Sequence, residues 1–142
     1  MAVVDDILHG REVYTVDGQQ KVIEVVHFMV ERNIGAVPVL QDGELAGIFS
    51  ERDLMKRVVA EGRDAKTTRV ADVMTPDPLV VSPDERLEDC MAVMKQHGFR
   101  HLPVCRGREL KGLISLRDVL LHGLVEKDGE VQMMRAYIAQ SS

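Results

Sequence analysis

Apolar positions along the chain switch from helical to alternating spacing and back, and they do so twice in the same order. After a short extended piece at Val13 to Val16, residues Val22, Val25, Val26, Met29 and Val30 fall on one side of a helical wheel, which predicts an amphipathic helix with one face to bury. Ala36 to Leu40 and Leu45 to Phe49 are apolar runs joined by the polar pair Asp42-Gly43, the pattern of a β-hairpin. Ser50 then reads as the N-cap of a further helix that runs to about Glu61, before Gly62. In the second half Leu87, Cys90, Met91 and Met94 repeat the first helix, with Ser82 as cap and Pro83 at the first helical position. His101 to Cys105, the turn Gly107-Arg108 and Leu110 to Ile114 repeat the hairpin, and Ser115 opens the next helix.

The halves superpose at one shift of 65 positions, the shift that carries Ser50, Arg52 and Asp53 onto Ser115, Arg117 and Asp118. It also carries Val16 onto Val81, Met29 onto Met94, Pro38 onto Pro103 and Gly47 onto Gly112. A repeat of that length is a whole supersecondary unit, and two copies that bury their apolar faces together yield one globular domain with a site between them. The lead-in is duplicated as well: Val4-Asp5-Asp6-Ile7-Leu8 resembles Val70-Ala71-Asp72-Val73-Met74 at an offset of 66, one residue longer. The expected organisation is a single module over residues 1–142. It divides into a first repeat over 5–62, a linker and lead-in with a short helical turn over 63–78, a second repeat over 79–125 and a C-terminal helix over 126–142. That last helix, with Val131, Met134, Tyr137 and Ile138 on one face, has no counterpart in the first copy and would pack on its own module or on a second subunit. Pro38 and Pro103, inside short strands, suggest edge positions or a kink that brings backbone near the cleft.

At 142 residues the chain is expected to form one domain without an attached catalytic one. Its 45% apolar content with no run long enough to span a bilayer predicts a globular protein with no membrane role. The start Met-Ala-Val-Val-Asp-Asp lacks the form of a secretory signal, so a cytoplasmic location is expected. A net charge of -5 offers no footprint for a phosphate backbone, which argues against nucleic acid as a partner. Cys90 and Cys105 have neither metal-ligand nor redox-pair spacing and read as buried small apolar residues. His9, His27, His97 and His122 likewise show no metal-ligand spacing.

Two heptapeptides, Gly47-Ile48-Phe49-Ser50-Glu51-Arg52-Asp53 and Gly112-Leu113-Ile114-Ser115-Leu116-Arg117-Asp118, resemble the signature of cystathionine-β-synthase (CBS) domains: glycine, two apolar residues, Ser or Thr, two variable residues, Asp. Val73-Met74-Thr75-Pro76 followed by Arg100-His101-Leu102-Pro103-Val104 is similarly typical of the second copy of such a pair. The resemblance spans Asp5 to about Leu124 and is closest to stand-alone bacterial pairs. It implies an α/β (α+β) fold, a tandem CBS-domain pair of two βαββα repeats related by a pseudo-twofold axis. It also implies two clefts for adenosine-containing ligands and a homodimer that joins two modules through their helices.

The residue types suit that chemistry. Asp53 and Asp118, one turn into a helix, can accept bonds from both ribose hydroxyls, each worth about 1.5–3 kcal/mol when the acceptor is ionised. Ser50 and Ser115 open those helices where backbone N–H groups favour a phosphate. Arg52 and Arg117 either reach the same phosphates or lie in solvent. Thr75 and Pro76, with His9 and Gly10, match positions that border the adenine in the family. Before its Leu-Pro-Val the second copy has Arg100 and His101, where the first has Gly35 and Ala36 ahead of a Val and Pro38, so the Asp118 cleft is expected to be the more cationic. The Asp53 cleft would take a less charged adenosine compound, share Arg100, or stay empty.

Asp53 and Asp118 read individually as ordinary first-turn helix acids; their repetition with Ser and Gly is what favours a ligand role. The leading expectation is a non-catalytic sensor, needing no cofactor, whose regulatory ligand is AMP, ATP, a dinucleotide such as NAD, or S-adenosylmethionine, and whose regulated protein partner the residues do not name. The alternative is a structural or partner-docking module with vestigial clefts. An enzyme is not expected, because the sequence has no phosphate-binding glycine motif, nucleophile elbow or His/Cys ligand set.

Overall fold

A computed structural model of the protein describes residues 2–123 and 137–139. The chain runs α1 (Val4–Leu8), β1 (Val16–Asp17), α2 (Val22–Arg32), β2 (Ala36–Gln41), β3 (Glu44–Ser50) and α3 (Glu51–Asp53), which continues as a π-helical stretch over Leu54–Val59. A 3-10 turn at Val70–Asp72 leads to β4 (Thr75–Pro76), α4 (Leu87–His97), β5 (His101–Arg106), β6 (Glu109–Ser115) and α5 (Leu116–Gly123). The C-terminal helix expected over 126–142 lies outside the described residues, apart from 137–139, which are helical.

The apolar stripe of α2 buries Val22, Val25 and Met29, and the helix stops where Asn33 takes a left-handed conformation (φ 53°) that Asn tolerates. Gly98 ends α4 the same way. Val30, expected on the buried face, is instead 72% exposed. Both central residues of the first hairpin turn, Asp42 and Gly43, have positive φ, as a tight two-residue turn between twisted strands requires.

The first sheet has the order β1-β2-β3-β4, with β1 parallel to β2 and the other pairs antiparallel. In the second copy β5 pairs with β6, and Val81 bridges Val104 in parallel as Val16 does Val39. Both hairpins slip register at the same place, between Val39 and Leu40 and between Val104 and Cys105. The duplication therefore extends to irregularities of pairing. Pro38 and Pro103 lie inside hairpin strands opposite Ile48 and Leu113, and β5 is an edge of its two-stranded sheet as expected for Pro103. Pro103 accepts from the Val81 amide where the parallel pairing ends, so its missing N–H takes little from the ladder.

Each copy is completed by the lead-in of the other. One core joins Val22, Val25, Met29, Val37, Val39 and Phe49 with Val70, Val73 and Met74; the other joins Leu87, Cys90, Met94, Leu102 and Ile114 with Val4 and Leu8. Backbone bonds fix the exchange: Val4 donates to Glu85 and Asp5 to Pro83, while Val22 donates to Thr68 and Val70 to Gln20. The same exchange explains why α4 begins at Leu87, with Arg86 rather than Ser82 in the N-cap position. Arg86 pairs with Val3 and the Leu87 amide donates to Ala2, so a tertiary contact sets the helix start and leaves Ser82-Pro83 in the preceding turn. The signature glycines have their reason here too. A Cβ on Gly47 would lie 2.6 Å from the Met74 sulfur and the Thr75 carbonyl, and one on Gly112 would lie 3.0 Å from Leu8. Glycine lets each lead-in press against the strand of the opposite copy.

Candidate ligand cleft between the copies

Where β3 approaches β6, a cavity of about 1180 Å³ opens along the seam. It takes residues from the starts of β2 and β5, the ends of β3 and β6, and the helices that follow. Of the residues expected at a ligand site, Gly35, Ala36, Pro38, Ser50, Arg52, Asp53 and Thr75 line it from one side, and Arg100, His101, Ser115, Arg117 and Asp118 from the other. Pro76 and Pro103 do not. Pro76 is held against Gly47 in the β3–β4 pair, and Pro103 is buried in β5.

Asp53 is almost wholly enclosed, its side chain 7% exposed. Its Oδ2 accepts from the Ser50 amide (2.9 Å) and hydroxyl (3.1 Å), and the Ser50 hydroxyl in turn accepts from the Asp53 amide (3.3 Å), a reciprocal cap. Its Oδ1 accepts from the Thr75 hydroxyl at 3.0 Å and lies 3.7 Å from Arg57, whose guanidinium also donates to the Met74 carbonyl at 2.6 Å. Every bond to this carboxylate thus comes from its own helix or from the exchanged lead-in.

Asp118 has the same cap, with the Ser115 amide donating to Oδ2 at 2.8 Å and the Asp118 amide to Ser115 Oγ at 2.9 Å. Its other partner is different. Arg11, from the loop after α1, donates to Oδ2 and Oδ1 at 3.1 and 3.2 Å in a fork, and Asp118 keeps 23% of its side chain exposed. Burial pushes this carboxyl up, but the bonds from Arg11 and Ser115 and the Arg11 charge outweigh it and hold the group below its usual range.

These caps leave less of the helix starts for an anion than the sequence suggests. The Glu51 amide donates to Gly35 and the Leu116 amide to Arg100, so in each copy the serine, the residue after it and the aspartate all have their N–H groups occupied. Charge recognition therefore falls to side chains. Arg52, Arg100 and Arg117 line the cavity with exposed side chains, consistent with either phosphate contact or solvation. His101 is different: burial lowers its pKa more than Asp118 and Glu51 nearby raise it, so the fold disfavours the charged imidazole. The cationic character of the Asp118 side rests on arginine and lysine.

Four residues here were not singled out from the sequence. Arg11 and Lys111 add cations on the Asp118 side, Glu51 lines the other, and Arg57 supports Asp53 from behind. The repeat offsets carried the signal: Lys111 stands where the first copy has Ala46, Glu51 where the second has Leu116, and Arg57 where the second has His122. Among the described residues no cluster of three or more His, Cys, Asp or Glu could hold a metal ion. Nor is any helix there long and apolar enough to cross a membrane.

Comparison with known proteins bears on the same segments. The CBS domain family model matches residues 4–60 and again 70–124. The CBS domain-containing protein CBSX3, mitochondrial, of Arabidopsis thaliana is 34% identical over 82% of this chain, which spans only 59% of that relative's length. A candidate signal-transduction protein with CBS domains from Burkholderia ambifaria MC40-6 superposes with a TM-score of 0.84 at 37% identity, over 89% of this chain and 97% of its own. CBSX2, solved in complex with AMP, superposes with a TM-score of 0.76 at 28% identity, over 90% of this chain and all of its own.

Proposed function

This chain belongs to the CBS-domain family, and from that footing we propose that it is a non-catalytic sensor of adenosine-containing nucleotides. The ligand occupies the cavity between the copies, shifts their packing and so changes the surface a partner protein reads. The observation that carries this reading is the convergence of two capped aspartates and several arginines on one cavity. Ribose hydroxyls donate to Asp53 or Asp118, adenine lies against the lead-in, and phosphates meet Arg100, Arg117 and Lys111. The AMP complex of a protein of the same fold supports the ligand class. Regulation further requires that the nucleotide bind one packing of the copies better than another.

A homodimer goes with this reading. Val30, Met55 and Val59 are 72%, 59% and 69% exposed, on the two helices whose other faces bury Val25 and Val58 in the first core. Covering such side chains is the usual reason to leave them apolar. Light scattering at working concentration should give twice the chain mass; a monomer at every concentration removes the dimer.

The docking alternative has one observation in its favour: Asp53 is satisfied from within the protein and needs no ligand. A thermal-shift panel of adenosine, AMP, ATP, NAD and S-adenosylmethionine separates the two. A nucleotide at 100 times its dissociation constant stabilises by about 2.7 kcal/mol, so a clear rise in Tm supports the sensor. No shift with any of the five supports docking alone.

A further inference from the structure

We propose that Arg11 couples ribose recognition to phosphate recognition in the Asp118 cleft: it closes the carboxylate in the free protein and is drawn off by the phosphate of an incoming nucleotide. The proposal rests on the sensor reading above and adds to it a selectivity that neither signature heptapeptide contains. An ionised carboxylate has about four acceptor positions. Ser115 takes one at Asp118 and the Arg11 fork takes two, which leaves too few for both hydroxyls of a ribose. Asp118 can hold ribose only when the guanidinium moves.

The surroundings allow that movement. Arg11 is 43% exposed and follows Gly10, whose φ of +76° places the residue in a turn free of packing around its Cα. Among the described residues the only other bond at Arg11 runs from its own amide to the Leu8 carbonyl. It lines the same cavity as Arg100 and Lys111, so a guanidinium that leaves Asp118 remains within a phosphate site. Adenosine must break the fork and offers the arginine nothing in exchange. A phosphorylated nucleotide replaces the carboxylate with phosphate oxygens, to which an arginine fork binds equally well. The first copy is built differently: Asp77 holds the place of Arg11 in its lead-in repeat, the Thr75 hydroxyl bonds Asp53, and Arg57, from the same helix as Asp53, lies 3.7 Å away and is tied to the Met74 carbonyl.

Calorimetric titration of adenosine and AMP into the unmodified protein, Arg11→Met and Arg11→Lys tests the proposal. Methionine keeps the length of the stem and cannot bond a carboxylate. Adenosine should bind Arg11→Met about five- to tenfold more tightly than the unmodified protein, as expected for removal of a partly exposed charged fork. AMP should gain less or weaken, so that the AMP-to-adenosine ratio collapses, and Arg11→Lys should fall between. The adenosine gain should vanish when Asp118→Ala is added; a gain that persists there, or no gain at all, overturns the latch. AMP binding to the unmodified protein with adenosine affinity untouched by Arg11→Met defeats this proposal and leaves the sensor standing. Binding of neither compound to the unmodified protein, with adenosine gained in Arg11→Met, shows a carboxylate that Arg11 closes and phosphate does not open, and overturns the coupling. Binding to none of the three proteins overturns both readings.

Discussion

Asp53 and Asp118 occupy one place in a duplicated motif and keep different company. What they share is made within each copy: the reciprocal serine cap, the hairpin and its register slip. What separates them comes largely from the exchanged lead-ins. Thr75 reaches Asp53 as a neutral donor, whereas the other lead-in sends Arg11 to Asp118. Duplication preserves the scaffold because its parts depend on neighbours in the same copy. The donated segment is free to diverge, and in this protein it has turned one carboxylate into a structural hub and left the other within reach of solvent.

The sharpest way to break that contrast is to delete each acid and measure nucleotide affinity. Asp118→Ala should weaken the tightest AMP site about 100-fold, the loss expected of two hydroxyl bonds to an ionised acceptor. Asp53→Ala should weaken the same site less than about tenfold, because the Asp53 carboxylate is already occupied by Ser50 and Thr75. Calorimetry on both variants decides; equal losses, or a larger one at Asp53, would reverse the ranking of the clefts.

Stability should rank the two the other way. Asp53→Ala removes a cap, leaves the half-buried Thr75 hydroxyl without its acceptor and opens a void at a site that is nearly closed, at a cost of about 3 kcal/mol. Asp118→Ala removes the same cap and a partly exposed ion pair, at about 1 kcal/mol. For a domain of this size those figures correspond to falls in Tm of roughly 10 and 4 °C. Comparable falls in thermal melts would mean that Asp53 is no hub.

Much of this was legible in the chain. Period changes place each hairpin within a residue or two, and the 65-residue shift points to the seam where the cavity lies, because local pairing and repetition are both written in sequence. The exchange of lead-ins was not. Val4 and Val70 look alike in sequence, and nothing in either says that each packs on the opposite copy. The false start of α4 at Ser82 and the omission of Arg11 have that one cause: a helix start and a carboxylate's partner are both set by a segment distant in the chain, Val3 against Arg86 and Arg11 against Asp118. The exposure of Val30 is hidden for a related reason, since periodicity finds an apolar stripe and cannot tell which part of it the module itself covers.

A smaller effect sharpens the charge side of the comparison. Arg100→Ala should leave adenosine affinity nearly intact and reduce the AMP-to-adenosine ratio about tenfold, since a guanidinium acts on phosphate through charge-assisted bonds. Arg11→Met is expected to close the same ratio from the other end, by improving adenosine. Raised salt should narrow the ratio in the unmodified protein, because Arg100 is exposed. An adenosine affinity equal to that of AMP before any substitution would remove the phosphate role from both arginines.

The smallest effect belongs to His101, and its sign follows from burial. The folded protein holds this imidazole below its ordinary value of 6.5, so as pH falls the unfolded chain takes up the proton first and gains relative stability. The contribution of His101 is complete above that value and is lost as pH falls through it toward the lower folded value, at no more than about 1.4 kcal/mol per pH unit. Asp118, also held low, loses its contribution only in the carboxylate range, and Cys90, pushed up to about 11 by burial, titrates well above, so neither overlaps this window. Thermal melts between about pH 7.5 and 5 should therefore show a steeper decline for the unmodified protein than for His101→Gln, which keeps polar atoms near Asp118 and cannot titrate. Saturating AMP should flatten the decline, because a phosphate beside the ring favours its charged form and offsets the penalty of burial. Parallel curves without AMP would show that His101 takes up its proton at the same pH in the folded and unfolded protein, and a shallower decline for the unmodified protein would show that the free cleft holds the imidazole charged.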